Sequence, residues 1–124
     1  MRVYKTKPFA RFATHEGIHD DELCDAVHRA ERGLIDADLG GGLIKQRLAR
    51  ERQGRSGGFR SIILFRRGDK AFFAYGFAKS DRENIRRDEL VAFRKLADAM
   101  FAYDDVALAA ATRNGTITEI ICHG

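Results

Sequence analysis

Eight lysines and arginines lie between positions 45 and 67 of this 124-residue sequence, where Glu51 is the one acid. The whole chain has a formal charge of only +4, so the positive charge is concentrated in this segment. Guanidinium and ammonium groups that converge on one groove repel each other unless an anion lies between them, and the arginine fork matches phosphate geometry. The pattern therefore predicts a surface that binds a polyanion.

Two of these cations share one face of a predicted strand. Residues 43–48 (LIKQRL) alternate, which places Lys45 and Arg47 on one side and Gln46 on the other. Residues 49–58 (ARERQGRSGG) are polar and include three glycines, so we expect a flexible loop. The loop supplies candidate phosphate contacts without a catalytic role, namely Arg50, Arg52 and Arg55.

A hairpin is predicted after this loop. Residues 59–65 (FRSIILF) and 71–78 (AFFAYGFA) are rich in aromatic and branched side chains and flank a tight turn. Neighbouring antiparallel strands lie about 4.8 Å apart. Arg60, at the start of the first strand, and Lys79 and Arg82, after the second, can therefore converge with the cations of the preceding strand on one groove.

Helical patterns flank these strands on both sides in the sequence. Breaks at Gly17 and Gly33 delimit two helices that follow a short first strand. After Lys79 an apolar stripe predicts a longer helix, which begins at a capping box formed by residues 80–83 or nearer Asn84. The stripe comprises Leu90, Phe93, Leu96, Ala97 and Met100.

These elements predict an α+β fold. We expect a small antiparallel or mixed sheet of three to four strands, with two N-terminal helices and one or two C-terminal helices. The last helix is expected at residues 106–111, before a tail strand at 116–121. The length favours one domain, residues 1–124, and the 44% content of hydrophobic residues is typical of a folded globule.

Several classes of protein are disfavoured by the composition. The sequence contains no apolar run of membrane-helix length, and its charged first twenty residues lack a signal-peptide core. We therefore expect a cytoplasmic protein with no membrane partner. Cys24 and Cys122 are far apart and suggest neither a zinc knuckle nor a disulfide framework, so we expect reduced thiols, no metal and no cofactor.

The segment GGGLIKQRLARERQGRSGGFRSIILFRR, followed by KAFFAYGFAKSDRENI, resembles the RelE-like toxins of type II toxin–antitoxin systems, including the HigB group of the RelE/ParE superfamily. The similarity in order and spacing extends over nearly all of the chain. It implies a ribosome-dependent mRNA endonuclease that inhibits translation. It also implies a cognate antitoxin, of the helix-turn-helix type in HigB-like systems, with the ribosome and mRNA as further partners.

The resemblance also implies a set of catalytic residues. In such toxins a basic strand, an Arg after a glycine turn and a basic segment after the last strand form the active groove. By position these are Lys45, Arg47, Arg60, Lys79 and Arg82. The implied reaction is a metal-free attack of the RNA 2′-hydroxyl on its own 3′ phosphate. Arg60 suits the charge on the phosphorane, and Lys45 suits proton transfer because neighbouring cations favour release of an ammonium proton.

The chain departs from the best-characterised RelE pattern at two positions. That pattern has an Arg directly after the lysine and a Tyr further on, where this chain has Ser80 and Arg86. Tyr75 is a candidate replacement that would stack on a base, and Arg66 is a further candidate RNA contact.

Two alternative functions remain open. One is a ParE-like toxin, which shares the fold and inhibits a topoisomerase without cutting RNA. Binders of that kind generally lack the set formed by Lys45, Arg47 and Arg60. The other is a catalytically inactive relative that only binds RNA.

Overall fold

A computed structural model describes residues 1–50 and 54–123 of this protein, and at residues 50 and 54–57 it describes only the backbone. In the described residues, six strands form one mixed sheet. Four helices accompany the sheet in the described part of the chain. The elements are β1 (Arg2–Thr6), α1 (Lys7–Glu16), α2 (Asp20–Glu31), β2 (Ala37–Gly40), β3 (Leu43–Arg50), β4 (Gly54–Arg66), β5 (Lys70–Ala78), α3 (Arg87–Phe101), α4 (Asp105–Arg113) and β6 (Ile117–Ile120).

The strand order is β2-β3-β4-β5-β1-β6. β1 runs parallel to β5, and the other neighbours are antiparallel. The central hairpin contains an irregularity, because Ile62 pairs with Tyr75 whereas Ile63 pairs with Phe73, which leaves Ala74 as an additional residue. A bulge of this kind lets Ala74 and Tyr75 lie on the same side of β5.

Helices α1 and α2 cover one face of the sheet. Thr6 caps α1 by accepting a hydrogen bond from the Phe9 amide, and Gly17 ends the helix in the left-handed conformation at φ 70°. Phe9 and Leu23 are fully buried in this layer against Ile63 and Phe73. The close packing depends on a glycine in β5, because a Cβ at Gly76 would lie 2.3 Å from the Phe12 ring.

Helices α3 and α4 pack on the opposite face. Ala97, Met100 and Phe101 of α3 are buried together with Leu43 and Phe72 of the sheet. α3 leaves part of this face open, because its first residue is Arg87 and its apolar stripe reaches the sheet mainly through its second half. The uncovered part carries Lys45 and Arg47 of β3 and Arg60 of β4.

Several sequence predictions need correction. The sheet has six strands where three to four were expected, because β2 was missed and the N- and C-terminal strands join the same sheet. The loop predicted at 49–58 is strand at both of its ends, since β3 reaches Arg50 and β4 begins at Gly54. The capping box predicted at residues 80–83 is also wrong. The helix begins later, where the Glu89 carboxylate accepts a hydrogen bond from the Arg86 amide.

The two cysteines form a disulfide, so the expectation of reduced thiols is wrong. Cys24 of α2 and Cys122, which follows β6, have Cα atoms 5.6 Å apart and are bonded through their sulfur atoms. Their separation of 98 residues in the sequence hid this relationship. Pairing of β6 with β1 brings the C-terminal segment next to α2. No described helix is long and apolar enough to cross a membrane.

Candidate functional site: a cationic pocket on the open sheet face

Arg47 of β3 and Arg60 of β4 are cross-strand partners on the face that α3 leaves open. Directly paired residues on antiparallel strands project from the same side of the sheet. The next pair on that side is Lys45 with Ile62. The predicted alternation of β3 is confirmed, because Gln46 is buried on the other side, where its side-chain amide donates to the Ala26 carbonyl.

Arg60 is the most buried cation of this group, with 8% of its surface exposed. Burial, and secondarily the positive charge of Arg47, lowers the pKa of Arg60 from its ordinary value. An arginine nevertheless stays protonated at physiological pH. The guanidinium donates to the Phe59 carbonyl, and within the described residues no ion pair joins it to an acid. A buried, incompletely compensated guanidinium of this kind favours an anionic ligand.

The Lys45 ammonium is held by a residue outside the sheet. Its Nζ donates to Oδ1 of Asn84 over 3.0 Å, across 39 residues of sequence. Asn84 lies in the segment between β5 and α3, so this hydrogen bond joins the loop to the sheet. The Lys45 stem is half-buried, whereas Arg47 and Lys79 are exposed.

These residues surround a pocket of about 300 Å³. It brings together four of the five predicted catalytic residues, and two acids, Asp36 and Glu83, also line it. The lining residues are Asp36, Ala37, Lys45, Arg47, Arg60, Lys79, Glu83 and Asn84. The excess of cations makes the pocket suitable for a phosphate group, and the volume leaves room for a sugar beside it.

The Asp36 carboxylate fixes the strand that carries Arg47. Its Oδ2 accepts a hydrogen bond from the Arg47 backbone amide at 2.6 Å, and its Oδ1 lies 3.9 Å from the Arg47 Nε. The buried Arg29 of α2 donates to the Arg47 carbonyl at 2.8 Å and is paired with Asp25 at 3.0 Å. Both polar groups of the Arg47 backbone are therefore held by side chains from outside the sheet.

Arg82, the fifth predicted catalytic residue, does not line the pocket. Its Nη1 lies 3.2 Å from Glu89 Oε2, and its Nη2 donates to Oε1 of the same carboxylate. It also donates to the Tyr75 hydroxyl at 3.2 Å and, through Nε, to the Asn84 carbonyl at 2.9 Å. Its guanidinium carbon lies 5.6 Å from the centre of the Phe77 ring. These contacts position Arg82 between the loop and α3.

Glu89 is the centre of this arrangement. Hydrogen bonds from Arg82, followed by the Arg86 backbone amide, lower the pKa of Glu89 to about 2. Hydrogen bonding to the same carboxylate raises the pKa of Arg82. One side chain thus caps α3 and anchors the loop that carries Asn84.

The predicted RNA contacts are placed differently. Arg66 lies at the other end of β4, with its guanidinium carbon 4.5 Å from the centre of the Phe101 ring, so it is remote from the pocket. Tyr75 packs against Phe93 and accepts a hydrogen bond from Arg82 instead of lining the pocket. The predictions for Arg52 and for the side chains of Arg50 and Arg55 lie outside the described residues.

Sequence reasoning missed the neutral and acidic members of the pocket. Asp36 lies just before strand β2, which was not predicted. Because Ala37 of β2 pairs with Lys45 of β3, Asp36 is brought to the site. Glu83 and Asn84 directly follow the predicted basic residue Arg82. Asn84 belongs to a polar segment between a predicted strand and a predicted helix. Because the sequence does not show that Lys45 reaches this segment, the segment looks like an ordinary loop.

The fold and the pocket define an α+β domain with a concave, cationic site on one sheet face. The family model of the RelE toxin of the RelE/RelB toxin–antitoxin system matches residues 1–120. The chain therefore belongs to this toxin family and is the toxin component of a toxin–antitoxin system. Membership implies an antitoxin partner of the RelB type. A comparison with curated proteins found no match.

Proposed function

We propose that this toxin is a ribosome-dependent mRNA endonuclease that inhibits translation, and that the cationic pocket is its active site. The observation that carries the proposal is the convergence of Lys45, Arg47, Arg60 and Lys79 around one cavity. RelE family toxins are generally endoribonucleases that cleave mRNA. The retained set of cations favours this function over that of a topoisomerase inhibitor with the same fold.

The reaction we propose is an internal transfer of the phosphate. The RNA 2′-oxygen forms a bond to the adjacent phosphorus, while the bond from that phosphorus to the 5′-oxygen of the next nucleotide breaks. The 2′-hydroxyl loses a proton, the departing 5′-oxygen gains one, and the products are a 2′,3′-cyclic phosphate and a 5′-hydroxyl. Such a reaction requires alignment of the attacking oxygen and stabilisation of the negative charge that develops on the phosphorane.

Arg60 and Arg47 are suited to stabilising the negative charge that develops on the phosphorane. Their guanidinium groups leave the sheet side by side, and each can donate two hydrogen bonds to phosphate oxygens. Because Arg60 is largely shielded from water, its interaction with the phosphorane is stronger than that of an exposed cation. The Asp36 contacts fix the Arg47 backbone, which reduces the reorganisation needed when RNA binds.

Lys45 is suited to proton transfer at the 2′-oxygen. Its amino group lies in the pocket next to the paired arginines, so a phosphate held by those arginines would bring the adjacent 2′-hydroxyl close to Lys45. Lys79 lines the same cavity after β5 and adds a further cation to the phosphate site. Arg82 acts indirectly in this scheme, because its contacts are made to Glu89 and to the loop.

The partners we propose follow from the same surface. A cationic pocket open to solvent can accept a ribosome-bound message. An antitoxin that covers the pocket, or blocks entry of the toxin to the ribosome, would suppress cleavage of that message. We further propose that the chain falls in the HigB group, with a helix-turn-helix antitoxin encoded beside it and a cytoplasmic site of action. The segment quoted above supports this placement.

Induction in a bacterial host, with and without the adjacent gene, tests the proposal. Wild type is expected to arrest growth, the neighbouring gene product to restore it, and message ends to appear inside coding regions with 5′-hydroxyl termini. Purified toxin is expected to cut messages on ribosomes and to leave the same RNA intact in their absence. Growth arrest with intact messages and an inhibited topoisomerase would instead identify the ParE-like function. Binding to ribosomes without cuts would identify an inactive relative.

A further inference from the structure

Lys45 has a long, flexible side chain that needs an external partner to occupy one position. A lysine side chain has a flexible four-carbon stem and loses rotamer entropy when it is fixed in one position. β3 sets only the starting point of that stem. In the structure the ammonium end is located by the side-chain oxygen of Asn84, 3.0 Å away.

The partner is an uncharged acceptor, and this is chemically significant. A carboxylate at the same place would form an ion pair with Lys45 and cancel part of the pocket's positive charge. An amide oxygen accepts the hydrogen bond without either effect. Although the acids Asp36 and Glu83 line the same cavity, it is Asn84 that receives the Lys45 hydrogen bond.

Asn84 is itself held in place through its backbone. The Arg82 Nε donates to the Asn84 carbonyl at 2.9 Å, and the rest of that guanidinium is fixed by Glu89 and the Tyr75 hydroxyl. Glu89 belongs to the first turn of α3 and also accepts from the Arg86 amide at 2.7 Å. A continuous set of hydrogen bonds thus connects the start of α3 to the Lys45 ammonium.

We propose that Asn84 is a positioning residue, which holds the Lys45 amino group at the scissile phosphate through a hydrogen bond and not through an ion pair. This inference rests on the proposed function. Arg82 and Glu89 support it by fixing the loop, so the Arg82 position predicted to be catalytic contributes through Asn84. The inference assigns a role to a polar residue of the pocket that the pattern of basic residues leaves out.

The test compares Asn84→Ala and Asn84→Asp with wild type in cleavage of ribosome-bound messages. Asn84→Ala should lower kcat about 10- to 100-fold, as expected for a misplaced reacting group, while KM changes less than about threefold. Asn84→Asp retains an oxygen acceptor at the same position and should restore part of kcat. Asn114→Asp is the matched control, since Asn114 lies at the end of α4 and contacts Thr116.

A second measurement reads the positioning without any cleavage. In proton–nitrogen spectra of the free toxin, the Lys45 ammonium signal should be visible in wild type and Asn114→Asp, because hydrogen bonding slows its exchange with water, and lost in Asn84→Ala. An unchanged signal in Asn84→Ala overturns the hydrogen bond, and an unchanged kcat overturns the positioning role. If wild type cuts no message, the proposed function fails separately, and the spectra still decide whether Asn84 holds Lys45.

Discussion

Arg47 and Arg60 face each other across β3 and β4, so two guanidinium groups leave the sheet from one cross-strand pair. Like charges directly opposite each other destabilise a sheet. The arrangement is therefore unfavourable for folding alone and is understandable if an anion binds between the two groups. Burial is the main cause of the lowered pKa of Arg60, and the charge of Arg47 lowers it further.

The first prediction concerns the ionic contacts of Arg47. For a noncleavable 2′-O-methyl RNA, the slope of log affinity against log salt concentration should become shallower by about 0.7 in Arg47→Ala, because one phosphate contact is lost. Binding measured between about 50 and 200 mM salt gives the slope. The control is Arg113→Ala, which removes an exposed arginine in the last turn of α4. An unchanged slope in Arg47→Ala would exclude a phosphate contact at this residue.

Glu89 gives a prediction for the pH dependence of stability. Its pKa is lowered from 4.5 to about 2 in the folded protein, so its contribution is present above pH 4.5 and is lost as the pH falls towards 2. Glu89→Gln should lower the free energy of unfolding by about 1–2 kcal/mol near neutral pH, a reduced value because water screens the pair.

Urea denaturation of wild type and Glu89→Gln at several pH values checks this. The difference between the two proteins should shrink as the pH falls through the window from 4.5 to about 2. A difference that stays constant over that window would mean that the Glu89 charge does not stabilise the start of α3. Asp98→Asn, at an exposed position of the same helix, is the matched control.

The sequence predicted those elements of the fold that have a clear local pattern of polar and apolar residues. The alternation of β3, the hairpin and the apolar stripe of α3 are local patterns, and the structure confirms the elements they predicted. The same holds for the convergence of Lys45 and Arg60, because strand pairing follows from adjacent segments.

Features that lack a local sequence pattern, or that depend on distant segments, were missed. β2 has only four residues, too few to show an alternating pattern, and it is a strand because Ala37 and Asp38 pair with β3. The Cys24–Cys122 bond depends on β6 pairing with β1, which no local pattern reveals. Arg82 looked catalytic because it is basic and follows Lys79, whereas Glu89, one turn into a helix that begins later than predicted, turns it away from the pocket.

The disulfide gives the third prediction. It closes a loop of nearly the whole chain, so Cys122→Ser should lower the free energy of unfolding under oxidising conditions by about 2–4 kcal/mol, because the unfolded chain gains freedom. Thermal denaturation with and without dithiothreitol measures the effect. The two proteins should unfold at similar temperatures in the reductant, where neither carries the bond. An equal difference in both conditions would assign the effect to the substituted side chain.

The fourth prediction concerns packing beneath the pocket-bearing hairpin. Gly76→Ala should destabilise the protein by about 1–3 kcal/mol, because the added methyl would lie 2.3 Å from the Phe12 ring. Shortening the ring in Gly76→Ala/Phe12→Leu should recover part of that loss relative to the sum of the single changes. Chemical denaturation of the four proteins gives the coupling energy. Strict additivity would show that the Phe12 contact is not what restricts position 76.

The most direct test of the central claim is single-turnover cleavage of a ribosome-bound message by wild type and Arg60→Lys. The lysine keeps the charge and loses the fork, so the cleavage rate should fall about 10²- to 10³-fold while ribosome binding changes little. Wild-type products should end in a 2′,3′-cyclic phosphate, and a single 2′-deoxy substitution at the cut site should abolish cleavage. Equal rates for the two proteins, or cutting that survives the 2′-deoxy substitution, would contradict the assignment of this pocket as the active site.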